Sequence, residues 1–187
     1  MAIDTDEVVV GSDGAVYVAP VGSTGPTDVA TALDAAFVHL GYTSEDGVEW
    51  TPGMDVTEIN AWQSFYPIRH ITTSRSLEVG FSLLQWNEAS IKLAFGGGTV
   101  TATAGPPAYY TYVPPAPEDV DYRALVVEWE DGAKDYRLHI PRAMVTGVGA
   151  IPLQRSNPAG LDLTFSLAAL DGANPFTLVT NDPAFAA

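Results

Sequence analysis

The side chains best suited to metal binding or proton transfer are three histidines, His39, His70 and His139. No two stand at metal-ligand spacing, and none sits beside a recognisable nucleophile. His139 falls on the polar side of an alternating segment and reads as a surface residue. The chain has no Gly-x-Ser-x-Gly elbow, no His-Glu-x-x-His pair and no P-loop. Gly96-Gly97-Gly98 follows a helical stretch instead of preceding one. Phosphate binding uses helix N-termini, so these glycines read as a helix stop and a tight reversal. Cysteine is absent, which removes disulfides and thiolate metal sites and fits a reducing cytoplasm.

Carboxylates offer the remaining route to catalysis. Glu128 and Glu130 share one face of a strand, as do Glu45 and Glu49 if their strand extends that far. Glycoside hydrolysis needs two carboxylates opposed across a sugar, and Trp50, Trp62, Trp86 and Trp129 could supply a stacking platform. In an acid-rich chain such glutamates are more often those of a solvated face, and tryptophans in strands are more often core or interface residues. No catalytic residue, cofactor site or metal site is therefore assigned, and the chain is expected to be a non-enzyme.

Charge narrows the partners. Against 23 Asp and Glu there are only 8 Lys and Arg, a formal net charge of −15. Gripping phosphates requires clustered cations, and those present are scattered. Tight binding to nucleic acid or to an anionic membrane is not expected. The acidity alone also serves solubility. A length of 187 residues and 47% hydrophobic composition suit a single domain with a real core. No apolar run is long enough to span a membrane as a helix, and the first residues, Met-Ala-Ile-Asp-Thr-Asp-Glu, lack the form of a secretory leader.

The elements that would position any site are mostly strands. Residues 75–98 read R-S-L-E-V-G-F-S-L-L-Q-W-N-E-A-S-I-K-L-A-F-G-G-G. Leu77, Val79, Phe81 and Leu83 fall on one face; Ser76, Glu78, Gly80 and Ser82 fall on the other. A short helix follows over about 87–95. Asp-Gly pairs at 13–14, 46–47, 131–132 and 171–172 mark turns. Alternation on both sides of Asp131-Gly132 predicts a hairpin over 122–140. Short strands are expected at 8–10 and 15–18 around the first pair, and at 37–42 and 48–51 around the second. Residues 27–36 could form a helical turn. The proline-rich 104–117 segment suits a surface loop or edge strand. Residues 151–160 read as an irregular connection and 181–187 as a loose tail. With no alternation of helix and strand, the fold class is mostly β: an antiparallel sandwich or barrel with one short flanking helix.

Two further features bear on function. Ser76–Leu83 (SLEVGFSL) is echoed by Gly160–Leu167 (GLDLTFSL), by duplication or by convergence on one amphipathic alphabet. Both copies bury aliphatics and Phe while displaying acid, Ser, Thr or Gly. The second feature is 51–70, which carries Met54, Ile59, Trp62, Phe65, Tyr66 and Ile68 yet alternates poorly and holds two prolines. It is either a loop folded on its own core or an arm that completes its burial on another subunit.

The residues Gly41-Tyr42-Thr43-Ser44-Glu45-Asp46-Gly47, Ile59-x-Ala61-Trp62-Gln63-Ser64 and Gln85-Trp86-Asn87 through Phe95-Gly96-Gly97-Gly98 resemble those of the major tail tube proteins of long, non-contractile-tailed (siphovirus-type) bacteriophages, particularly of actinobacterial hosts. The resemblance spans about 8–178. It implies a structural virion protein, made in the bacterial cytoplasm. Its β-sandwich subunits would self-assemble into hexameric rings, stacked around a DNA channel with a long loop reaching the next ring. It also implies tape measure and tail terminator or tip proteins as partners, and no C-terminal immunoglobulin-like extension is seen. On this reading Glu78, Ser82, Asp162, Thr164 and Ser166 face the lumen, where an acidic, small-residue lining lets DNA slide without being gripped. Met54, Ile59, Trp62, Phe65, Tyr66 and Ile68 would be the inter-subunit contacts. Strand parity alone leaves lumen and outer surface open. The competing reading is a carbohydrate-binding β-sandwich module of a tail tip.

Overall fold

A computed structural model describes residues 5–186. Ten strands and one α-helix, flanked by short 3-10 turns at Thr5–Glu7 and Pro183–Phe185, follow in order: β1 (Asp13–Pro20), β2 (Val38–His39), β3 (Thr43–Ile59), β4 (Arg69–Leu83), α1 (Glu88–Ala94), β5 (Thr99–Thr103), β6 (Tyr109–Val113), β7 (Arg123–Asp131), β8 (Lys134–Val148), β9 (Leu161–Leu167) and β10 (Thr177–Thr180). Eight of the strands form one antiparallel sheet. Its path is β2-β1-β7-β8-β9-β4-β3, with β10 added beside β8. β5 and β6 make a separate hairpin. The fold is thus mostly antiparallel β with one short helix, built as a single sheet rolled over its core with a small satellite hairpin.

β8 is the strand that makes the roll possible. Its first half pairs with β7 on one edge and β10 on the other, and its second half pairs with β9. Register shifts on β7–β8 and β8–β9 mark bulges, which bend a strand and sharpen its twist. The inner faces of β1, β7 and β8 then meet those of β4 and β9. Val16, Leu125, Leu138 and Ile140 join Leu77, Val79, Leu163 and Phe165 in one apolar cluster. Phe81 and Phe165 stack at 5.4 Å, 14° between planes. α1 caps the cluster with Leu93 and Ala94.

Local chemistry explains the helix and the hairpin. Asn87 caps α1: its side chain accepts from Ser90 N at 2.9 Å, and Ser90 Oγ accepts from Asn87 N at 2.9 Å. The stop is Gly96-Gly97-Gly98, at φ 72°, 115° and 91°. At Gly98 a Cβ would also lie 2.5 Å from the Val113 carbonyl oxygen, so the satellite hairpin can close only over glycine. Asp131-Gly132 turns the β7–β8 hairpin as expected, with Gly132 at φ 64°.

Several sequence expectations are corrected. Residues 8–10 form no strand, and Asp13-Gly14 opens β1 instead of turning a hairpin; Gly14 pairs with Trp129. Asp46-Gly47 sits in a register shift within β3, and β2 pairs with β1, so no hairpin forms there. Residues 27–36 are not helical. Asp28 instead accepts from Ala30 N and Thr31 N, and Arg137 donates to the Asp28 and Thr31 carbonyls at 2.8 and 2.6 Å. That pinned loop, with Leu33, Ala36 and Phe37, covers the outer side of β1 and β7 in a second apolar cluster. Side-chain bonds to backbone won over helix there.

The tail is not loose either over 181–186; Ala187 lies outside the described residues. Asp182 is buried and accepts from the buried Tyr136 hydroxyl at 2.6 Å, from Ala184 N at 2.9 Å, and lies 3.4 Å from Lys134 Nζ. The hydrogen bond from Tyr136 is the main cause holding the Asp182 carboxyl below its usual range. That bond, followed by burial and the Asp182 charge, pushes the Tyr136 phenol up to about 12.

Two expectations follow from this packing. Phe165→Ala removes the centre of the core and should lower unfolding free energy by about 3–5 kcal/mol in urea titration. The Tyr136 phenol has a higher pKa folded than unfolded, so its stabilisation is complete below about pH 10 and is lost as pH rises toward 12. Melting curves across that window should show the loss, and Tyr136→Phe should lower stability at neutral pH while flattening the alkaline slope.

Candidate functional site

The echoed strands are neighbours. β4 and β9 pair antiparallel, with Val79 opposite Phe165, Phe81 opposite Leu163 and Leu83 opposite Leu161. Because directly opposed residues share a face, all the buried aliphatics point one way. The alternate residues point the other: Glu78 opposes Ser166, Gly80 opposes Thr164 and Ser82 opposes Asp162. All five residues expected on the polar face therefore lie together, outside the core. Glu78 and Asp162 are exposed, while Ser82, Thr164 and Ser166 are half-buried.

β3 extends this surface. Glu49 opposes Gly80, Thr51 opposes Glu78, Gly53 opposes Ser76 and Asp55 opposes Ser74. Across Glu49–Asp55 of β3, Ser74–Leu83 of β4 and the whole of β9, the polar face carries Glu49, Asp55, Glu78 and Asp162 and no Lys or Arg. Alternation predicts the β4 and β9 part. The β3 part escapes sequence reasoning because prolines, Met54 and the register shifts hide the period of that strand. One end of the face needs close backbone approach: a Cβ on Gly149 would lie 2.7 Å from the Asp162 Cβ.

The other feature is an arm. The expected irregular segment 51–70 is a correction: it is mostly strand, and β3 and β4 stay paired out to Ile59 opposite Arg69. Only the tip, residues 60–68, leaves the ladder. No other strand pairs with this outer half of the hairpin among the described residues, because β9 flanks β4 only from Glu78 to Leu83. The apolar side chains consequently stand in solvent. Trp62 is 99% exposed, Phe65 107% and Tyr66 81%. Met54, Ile59 and Ile68 are exposed as well. Patches of this kind on a folded chain mark interaction surfaces.

The catalytic alternatives find no shared geometry. Glu128 lies 2.6 Å from Arg137 Nε. It neighbours Glu130 along one strand in a shallow hollow of about 180 Å³, not across a cleft. Glu45 and Glu49 are both exposed on β3. His39 Nδ1 accepts from Gly41 N at 2.9 Å, and His70 lies 3.7 Å from Glu58 on the arm. His139 is half-buried instead of fully exposed. The 21–37 loop covers it so closely that a Cβ on Gly25 would fall 2.3 Å from its ring, and burial lowers its pKa. Among the described residues, no group of three or more His, Asp or Glu could hold a metal ion. No helix among them is long and apolar enough to cross a membrane.

The tryptophans do not form one platform. Trp62 is at the arm tip, and Trp86 Nε1 donates to the Ala159 carbonyl at 2.6 Å. Trp50 meets Phe176 edge-on at 6.4 Å, and Trp129 stacks on Tyr136 at 5.1 Å. Trp50 and Trp129 also line an apolar cleft of about 420 Å³ at the open side of the core.

Comparison with known proteins completes the picture. No curated protein matches the chain. A solved structure with a related arrangement is the cryo-EM structure of the anti-feeding prophage cap, described as a tube-terminating cap. It is 12% identical, with a TM-score of 0.46, over 96% of this chain and 99% of that one. A family model described as phage tail tube protein matches residues 1–187. A rolled antiparallel sheet with one acidic face and an uncovered hairpin thus accompanies a match over the full length, and the chain belongs to the phage tail tube protein family.

Proposed function

We propose that this chain is the tube subunit of a long, non-contractile phage tail, and that it assembles into hexameric rings stacked head to tail around a DNA channel. The face carrying Glu49, Glu78 and Asp162 lines the bore, with Ser82, Thr164 and Ser166 between the carboxylates. The arm bearing Met54, Ile59, Trp62, Phe65, Tyr66 and Ile68 crosses to a neighbouring subunit. Tape measure protein fills the tube before ejection, and terminator and tip proteins close its ends.

The observation that carries this reading is the acidic face without a cation. Duplex DNA bears one negative charge per about 1.7 Å of axis. A wall of carboxylates, small hydroxyls and glycine offers phosphates no counter-charge and bases no stacking surface. Its repulsion acts within a Debye length of about 8 Å, which keeps DNA off the wall without resisting its passage along the axis. Lateral closure of rings would also cover sheet edges that a lone subunit leaves open. Heterologous contacts between rings generate an open-ended filament.

Negative-stain electron microscopy across a concentration series should show hollow tubes of uniform bore; particles that remain monomeric throughout would contradict the proposal. The double variant Glu78→Lys, Asp162→Lys should still assemble, since neither residue is in the core. Its tubes should retain at least tenfold more nuclease-protected duplex DNA than the parent, declining steeply with salt. Tubes whose added DNA binding remains open to nuclease would place these residues on the exterior.

A further inference from the structure

The tip and return strand of the arm differ from the rest of the chain in charge as well as in exposure, while its outgoing strand carries Asp55 and Glu58. From Ile59 to Leu77 there are two arginines, Arg69 and Arg75, with His70, and no Asp or Glu. All 23 acidic residues lie elsewhere, against six of the eight Lys and Arg. The most exposed aromatic side chains of the protein, Trp62 and Phe65, sit within this basic stretch.

The body carries a surface of the opposite kind. The apolar cleft of about 420 Å³ is walled by Val9, Val48, Trp50, Trp129, Leu178 and Phe185. Several walls are themselves in solvent: Val9 is 44% exposed, Trp50 42% and Phe185 62%. Adjoining it, across Val8 and Ala184, is a hollow lined by Asp6, Glu7, Asp131 and Asp182, with Lys134 as its one cation among the described residues. An aromatic-lined cleft beside an acidic hollow matches an aromatic tip beside arginines in both chemistry and sign.

The protein cannot make this contact with itself. Trp50 stands at the root of the arm, and from Thr51 to Ile59 the strand rises roughly 30 Å at about 3.4 Å per residue. β3 and β4 remain paired over that length, so the arm cannot fold back. A second copy has no such restriction.

We propose that the arm tip of one copy docks in the Trp50–Trp129 cleft of another. Trp62 and Phe65 enter the apolar cleft while Arg69 faces the carboxylates of the adjoining hollow. The inference rests on the tube reading and adds the acceptor site to it. Knob and cleft are different surfaces, so each docked copy still offers its own cleft and its own arm, and the contact propagates.

The absence of cysteine makes a direct test simple. Phe65→Cys and Val9→Cys proteins are prepared separately, mixed under conditions that give assembled particles, and oxidised. Mixed disulfide dimers should form at least tenfold faster than with Phe65→Cys and Ser156→Cys, an exposed loop position that does not line the cleft. Arg69→Glu should raise the concentration needed for assembly at least tenfold, and Asp131→Arg on the same chain should recover part of it. Tubes that form without preferential cross-linking at Val9 would overturn the docking site while leaving the tube reading intact. Monomers at every concentration would overturn both.

Discussion

The antiparallel pairing of β4 with β9 is the interaction on which the remaining structure depends. It sets Val79 against Phe165 and Phe81 against Leu163, with the Phe81–Phe165 stack at its centre. Because side chains alternate strictly, the same register that buries these residues sends Glu78, Asp162, Ser82 and Thr164 outward. A one-residue slip would bury two carboxylates and expose the core. The apolar core therefore enforces the position of the acidic face, which itself makes no contribution to packing.

A second consequence follows from unequal strand lengths. β3 and β4 run to Ile59 and Arg69, whereas β9 accompanies β4 only as far as Glu78. Beyond that point a two-stranded ribbon continues alone. Isolated two-stranded ribbons are marginal in water, and this one also exposes Trp62, Phe65 and Tyr66. A lone subunit is thus left with an unfavourable surface. On the proposed reading, burial against another copy removes it, and assembly is driven from a feature that contributes little to the stability of the monomer.

Much of this was legible in the residues. Period-two alternation located β4, β9 and the β7–β8 hairpin, since one face of each is buried and the other is polar. The cap at Asn87 and the three glycines bounded the helix for the same local reasons seen in its hydrogen bonds. The errors share a cause. Asp13-Gly14 and Asp46-Gly47 have turn chemistry but lie inside strands, where ladder pairing and a bulge override it. His139 looked solvated by parity, yet a loop pinned by Arg137 lies over that face. The tail looked unstructured, but Tyr136 holds Asp182 from across the chain. Segment 51–70 stood out by its apolar content and poor alternation but was misread in conformation, because neither face of an unsupported ribbon needs to be consistently apolar. Long-range contacts decided each case, and no local window of sequence contains them.

The central claim is that the face opposite the core lines a bore. A cryo-EM reconstruction of tubes assembled from the purified protein tests it most directly. The account predicts Glu78 and Asp162 of every subunit projecting into the channel, on a wall free of Lys and Arg along β3, β4 and β9. A tube whose channel is lined by another surface, with Glu78 and Asp162 on its outside, would contradict it.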